Sequence, residues 1–236
     1  MKVELRVNGV SRTADVEPRK TLLDTLRENF LLNGAAGTLL VALSLVQQGA
    51  GLSSLQSGML TIGYLIAILS TIRVGEKLLR KMGARKPMLL GCAITGVGIL
   101  LTSMTFLLTS QYMVAAFVGF TLFGVGLGFY ATPSTDAALS NVPNDKAGAA
   151  SGIYKMASSL GAAFGVAISA ALFTTMSGGG FTFEPLSELF TGRTDNIDIR
   201  FGAAVALLFN VAMVVVAIVA IVMTVPNDDP RNNEDA

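Results

Sequence analysis

Histidine and tryptophan are absent from the 236 residues, and cysteine occurs once, at Cys92. Without an imidazole, no Ser or Asp has the usual relay for a proton, and a lone thiol has neither an internal disulfide partner nor a Cys–His arrangement. Hydrolytic catalysis and a metal centre are therefore unsupported. Charge is scarce too, since Asp, Glu, Lys and Arg make up 14% of the chain where a soluble domain carries about a quarter. The net charge of +1 offers no basic field to nucleic acid. The sequence argues for no enzyme, no cofactor and no nucleic-acid partner.

What is present is apolar. Hydrophobic residues make up 52% of the chain and the mean hydropathy is +0.61. The apolar residues gather into six runs, 30–49, 57–75, 87–108, 112–135, 149–175 and 202–224, each near the roughly 20 residues that a helix needs to cross a bilayer. The expected fold is an all-α membrane protein with six transmembrane helices. If the first span runs outward, the segments on the cytoplasmic side collect Lys2, Arg6, Arg12, Arg19, Lys20, Arg27, then Arg73 through Lys86, then Lys146 and Arg231, and the outer loops hold only Arg193 and Arg200. That asymmetry follows the positive-inside rule and places both termini in the cytoplasm. Residues 1–28 lack the apolar centre of a cleavable signal, and 226–236 reads as a disordered acidic cytoplasmic tail.

Residues 1–28 have a different character. "KVELRVNGVSRTADVEP" reads as a β-hairpin turning at Asn8-Gly9, because that dipeptide suits a type I′ turn between alternating strands. "RKTLLDTLREN" reads as a short amphipathic helix with Leu22, Leu23 and Leu26 on one side. The pattern V-N-G, V-x-P, T-L-L-D-x-L-R resembles the opening of the iron–sulfur small subunits of the molybdenum hydroxylases. That resemblance implies four cysteine ligands for a [2Fe–2S] cluster, and the following segment supplies none.

Within the apolar region, Ser53 and Gln56 form a capping-box pattern that starts the second span. The span ends in "IRVGEKLLRKMGARKP", where Arg73, Glu76, Arg80 and Arg85 with Gly75 and Gly83 make a short basic loop, either a topology anchor or a gate, with the glycines giving backbone freedom. The fourth span places Gly119, Gly124, Gly126 and Gly128 on helical positions with Pro133 near its end. The fifth carries Gly148, Gly152, Gly161 and Gly165. Small residues let helices approach closely, and Pro frees a carbonyl. Asp136 and Lys155 are charges inside apolar runs. Such charges either pair, line water or snorkel to the interface. Their equal distance from the shared loop allows a pair.

The segments "FLLNGAAGTLLVALSLVQQGAGLSSLQSGMLTIGYL", "IRVGEKLLRKMGARKPMLLG" and "GLGFYATPSTDAALSNVPNDKAGAASGIYKMASSLGAAFGVAISAALF" resemble the C-terminal half of fourteen-span drug:proton antiporters of the major facilitator superfamily, the Nor-type quinolone and antiseptic exporters in particular. The resemblance covers about 29–225. It implies one six-helix bundle of two inverted three-helix repeats, a bacterial inner-membrane location, and lipophilic cationic or zwitterionic drugs as the substrates of the family. A path through Gln47, Gln48, Tyr64, Tyr130 and Asp136 would carry them. The family's loop signature D-R-x-G is faint here, with Arg80 standing where it has Asp. The N-terminal half is not in the sequence, so the chain reads as a chimeric or truncated reading frame that needs a second six-span half or a homodimer. Two other readings are a membrane-anchored iron–sulfur electron carrier and a non-enzymatic partner of a separate transporter half.

Overall fold

The computed structural model describes residues 2–7, 10–15, 32–33, 35–140, 142–178 and 196–225. The strands β1 (Lys2–Val7) and β2 (Val10–Asp15) pair antiparallel, in register from Lys2 opposite Asp15 to Val7 opposite Val10. The Asn8-Gly9 turn, the expected helix before Asn29, most of the loop 176–200 and the tail 226–236 lie outside the described residues.

Helix α1 (Gly37–Ser44) runs on into a π-helical turn, Leu45–Gly49. Together they make 13 residues, about 20 Å at 1.5 Å per residue, less than the roughly 30 Å of hydrocarbon. After Gly51, whose φ is 68°, helix α2 (Ser54–Met59) starts at the expected capping box: Ser53 Oγ accepts from the Gln56 amide and the Gln56 side chain accepts from the Ser53 amide. It leads into α3 (Ile62–Met82), then α4 (Arg85–Thr102), α5 (Thr109–Leu139), α6 (Ala147–Ser177) and α7 (Ile197–Thr224). Among the described residues, five helices are long and apolar enough to cross a membrane, counting α2 and α3 as one.

Several boundaries differ from the expected ones: α1 begins at Gly37, the fourth span runs Thr109–Leu139, the fifth runs Ala147–Ser177 and the last begins at Ile197, and two further ends have a local cause. The segment read as a basic loop is helical to Met82, so α3 extends past the expected end at residue 75, and only Gly83-Ala84 turns. The third span ends at Thr102 instead of 108, because residues 103–108 fold into a tight connection held by local backbone hydrogen bonds and by the Arg200 side chain.

The main helix contacts correspond when α1, α3 and α4 are exchanged with α5, α6 and α7, although α5 also touches α6 and α1 touches α4 without a matching contact of like extent. Thus α5 lies between α3 and α4, α1 lies against α6 and α7, α3 touches α4 as α6 touches α7, and α4 meets α7 across the middle. Two apolar cores fill the bundle. One joins α4, α5 and α7 through Met88, Ile99, Phe123, Tyr130, Val214 and Ile221; the other joins α1 and its π-helical turn, α5, α6 and α7 through Val41, Val46, Tyr112, Phe120, Phe173 and Leu207. The outside is apolar as well: Leu55, Leu69 and Met223 are 73%, 75% and 80% exposed. A water-facing surface of this kind is rare on soluble monomers, and a lipid solvent accounts for it.

Candidate functional site

The glycines of α5 set the geometry. Gly126 faces Gly91 and Gly119 faces Gly98 on α4, so a Cβ at Gly126 would stand 2.5 Å from the Gly91 carbonyl oxygen and one at Gly119 would stand 2.6 Å from that of Gly98. On the adjoining side, Gly124 lies against the Tyr64 backbone and Gly128 against Thr71 of α3. Close approach of backbones replaces the hydrophobic driving force that lipid removes. On α6, Gly161 and Gly165 are buried, and the Gly165 carbonyl comes within 2.8 Å of where a Gly37 Cβ would be. Gly148 and Gly152, read above as packing residues, are exposed and face open space. Pro133 is buried inside an unbroken α5.

Asp136 and Lys155 do not pair. Both are exposed, and the ion pair among the described residues is Glu76–Arg80. The expectation took α5 and α6 as side-by-side neighbours, but each packs mainly on other helices. What links them is hydroxyl chemistry. Tyr154 turns inward in place of Lys155 and donates to Ser134 Oγ at 3.1 Å, and Thr135 Oγ1 lies 3.4 Å from the Tyr154 oxygen.

Of the other path candidates, Gln47 is exposed on the π-helical turn and donates through Nε2 to Ser57 Oγ at 2.7 Å, while Gln48 is exposed beside it. Single π turns within helices recur at functional sites. Nearby, a groove of about 460 Å³ opens between α2 and α5, lined by Gln56, Met59, Leu60, Met113, Val114 and Phe117. Tyr64 is half-buried, its ring 5.8 Å from that of Phe123. Tyr130 does not line a path: it is 3% exposed, in the α4–α5–α7 core against Gly91.

The gate candidates separate into different roles. Gly75 sits inside α3 against the Gly128 carbonyl, where a Cβ would come within 2.5 Å, so its part is close packing and the expected hinge is not there. Gly83 does use its freedom, with a φ of 71° at the end of α3. Glu76 and Arg80 pair along the exposed face one turn apart. Arg85 Nη2 donates to the Val222 carbonyl at 2.9 Å, a cation at the C-terminal end of α7 where the helix dipole favours it. Arg73 is exposed.

Two polar groups have roles that the sequence pattern does not show. Arg200 is 3% exposed, and its guanidinium donates to the carbonyls of Thr105 at 2.9 Å and Leu107 at 3.2 Å and to Thr109 Oγ1 at 3.3 Å, while Thr105 Oγ1 donates back to the Arg200 carbonyl. It clamps the α4–α5 connection onto the start of α7, beside Asn196, whose Nδ2 donates to the Gly49 carbonyl at 2.8 Å. Asn210 is fully buried halfway along α7 and accepts from Ser169 Oγ at 2.9 Å. An amide in the middle of "GAAVALLFNVAMVVV" was a legible signal, since such groups in membranes bond across helices.

Residues 29–166 match the Major Facilitator Superfamily. Quinolone resistance protein NorB of Staphylococcus aureus strain COL is 48% identical to the chain over 201 residues, and that of strain MRSA252 is 49% identical over 201 residues. In both cases the match takes in 85% of this chain and 40% of the relative. The chain thus spans about two-fifths of the length of the curated relatives it matches.

Proposed function

Because the chain belongs to the major facilitator superfamily, we propose that residues 29–225 are one of the two bundles of a proton-coupled multidrug exporter, the C-terminal one, and carry nothing across the membrane without a second bundle. The observation that carries this reading is the likeness to NorB over 85% of the chain. The approximate exchange symmetry of the helix packing supports it, since inverted three-helix repeats are how such bundles are built. In this reading α1 completes a sixth span, both termini face the cytoplasm, and Gln47, Gln48 and Asp136, exposed on the bundle, contribute to the face turned toward the second bundle. Quinolones and quaternary ammonium compounds are the substrate class. Alternating access rocks one bundle against another around a midplane site, so one bundle has nothing to rock against. The resemblance of residues 1–28 to an iron–sulfur subunit brings no cluster chemistry in this reading, because one thiol cannot replace four.

Expression of the chain alone in a strain stripped of efflux pumps tests this. No change in quinolone or quaternary ammonium susceptibility is expected, and proton-dependent efflux from the lone chain would sink the two-bundle requirement. Orientation is tested separately with Ser187→Cys on intact cells. Labelling by an impermeant thiol reagent before lysis is expected; labelling only after lysis inverts the topology.

A further inference from the structure

The exposed face of α3 changes chemistry along its length. Ile62, Ile66, Leu69, Arg73, Lys77 and Arg80 follow one another at spacings of three and four and so share one side of the helix. The first three are 48%, 63% and 75% exposed, and the last three are exposed cations. The opposite side, with Gly63, Ala67 and Gly75, is the one that packs on α5. The span Ser54–Met82 has 29 residues, about 43 Å of helix against roughly 30 Å of hydrocarbon. With the Ser53 cap at one boundary, the other boundary falls near Arg73, and the remaining turns rise through the headgroup layer.

From Arg73 to Lys86 there are six cations and one carboxylate. Of these, Glu76 is taken by Arg80 and Arg85 is taken by the Val222 carbonyl. Arg73, Lys77 and Lys81 are exposed and form no ion pair with a described residue. Exposed alkyl groups at acyl-chain depth leading into unpaired cations at phosphate depth form the complement of one molecule.

We infer that this face of α3 is a binding site for an anionic glycerophospholipid, whose acyl chains lie along Ile62, Ile66 and Leu69 and whose phosphate is held by Arg73, Lys77 and Lys81. Arg73 gives a planar fork to the phosphate, and the lysines act as point charges. The inference needs α3 to span the bilayer and is independent of which drug is exported, so failure of the resistance assay above leaves it standing.

The test is native mass spectrometry of the detergent-purified full chain, titrated with phosphatidylglycerol and with phosphatidylcholine. Preferential retention of phosphatidylglycerol is expected. The triple variant Arg73→Gln/Lys77→Gln/Lys81→Gln is expected to lose about fivefold in affinity for each charge removed. A control triple variant, Lys2→Gln/Lys20→Gln/Lys146→Gln, removes the same charge outside the Arg73–Lys86 cluster and is expected to bind as the parent does. Added glycerol 1-phosphate is expected not to compete, which separates a lipid site from a phosphate site. Equal losses in both triple variants would reduce the effect to net charge and overturn the inference, and so would equal retention of the two lipids by the parent. As a check free of folding artefacts, a photoreactive phosphatidylglycerol in vesicles is expected to label peptides within 62–81 of the unaltered chain; labelling spread evenly over all spans would overturn the site.

Discussion

Gly91 and Gly126 face each other across α4 and α5 so closely that a Cβ on either would stand 2.6 or 2.5 Å from the other's carbonyl oxygen. Gly98 and Gly119 repeat the relationship two turns away, at 2.6 Å in both directions. These contacts involve backbone, which cannot move aside as a long side chain can. The α4–α5 seam therefore has a fixed separation.

Gly126→Val is expected to lower the stability of the bundle by ~3 kcal/mol or more, the upper end of overpacking costs, because neither backbone can yield. Gly152→Ala, at a position with open space around it, is expected to be neutral or slightly stabilising through helix propensity. Thermal melts of the two variants in detergent check this. Equal melting temperatures for both would show that the seam is looser than its geometry.

Arg200→Met is expected to strip the partner from the Thr105 and Leu107 carbonyls in a buried setting. Hydrogen bonds to charged groups contribute about 1.5–3 kcal/mol each, so a loss of ~3 kcal/mol or more is expected, with Arg200→Lys recovering only part because it lacks the fork. Unfolding of each variant in mixed detergent measures it.

Much of this fold was legible because the sequence wrote it in composition. The apolar runs gave the helices, and Ser53 with Gln56 marked the start of α2. What the sequence could not write was partnership. Helical period places Gly119, Gly124, Gly126 and Gly128 on faces of α5 but does not say that Gly98, Gly91 and the α3 backbone are what they meet. Tyr130 was read as a polar group on a path, since a phenol at membrane depth invites that reading; its place is set by Gly91 opposite. Asp136 and Lys155 were joined by their equal distance from a loop, a one-dimensional argument that fails when the two helices choose different neighbours. Arg200 looked like an outer-loop charge because its three acceptors lie 91 to 95 residues away.

The Ser169–Asn210 bond ties α6 to α7 inside the bundle. Interhelical bonds of this kind average about 0.6 kcal/mol by double-mutant cycles. A cycle of Ser169→Ala and Asn210→Leu is expected to return a coupling near ~0.6 kcal/mol. A coupling of zero would remove the bond from the list of forces that hold α6 in place.

Asp136→Asn is expected to leave the melting temperature of the chain unchanged, as is Asp136→Asn combined with Lys155→Met, because neither charge is buried or paired. A clear destabilisation of the single variant that the double variant recovers would restore the ion pair.

The most direct measurement of the two-bundle reading is co-expression of this chain with a separately encoded N-terminal half of a NorB-like exporter in a strain without efflux pumps. Dye efflux is then followed in everted vesicles with and without a proton gradient. Expected are proton-dependent efflux from the pair, none from either half alone, and co-purification of the two. Efflux that is absent from the pair while both halves insert and co-purify, or that is present in the lone chain, would contradict the claim that residues 29–225 are one working half of an exporter.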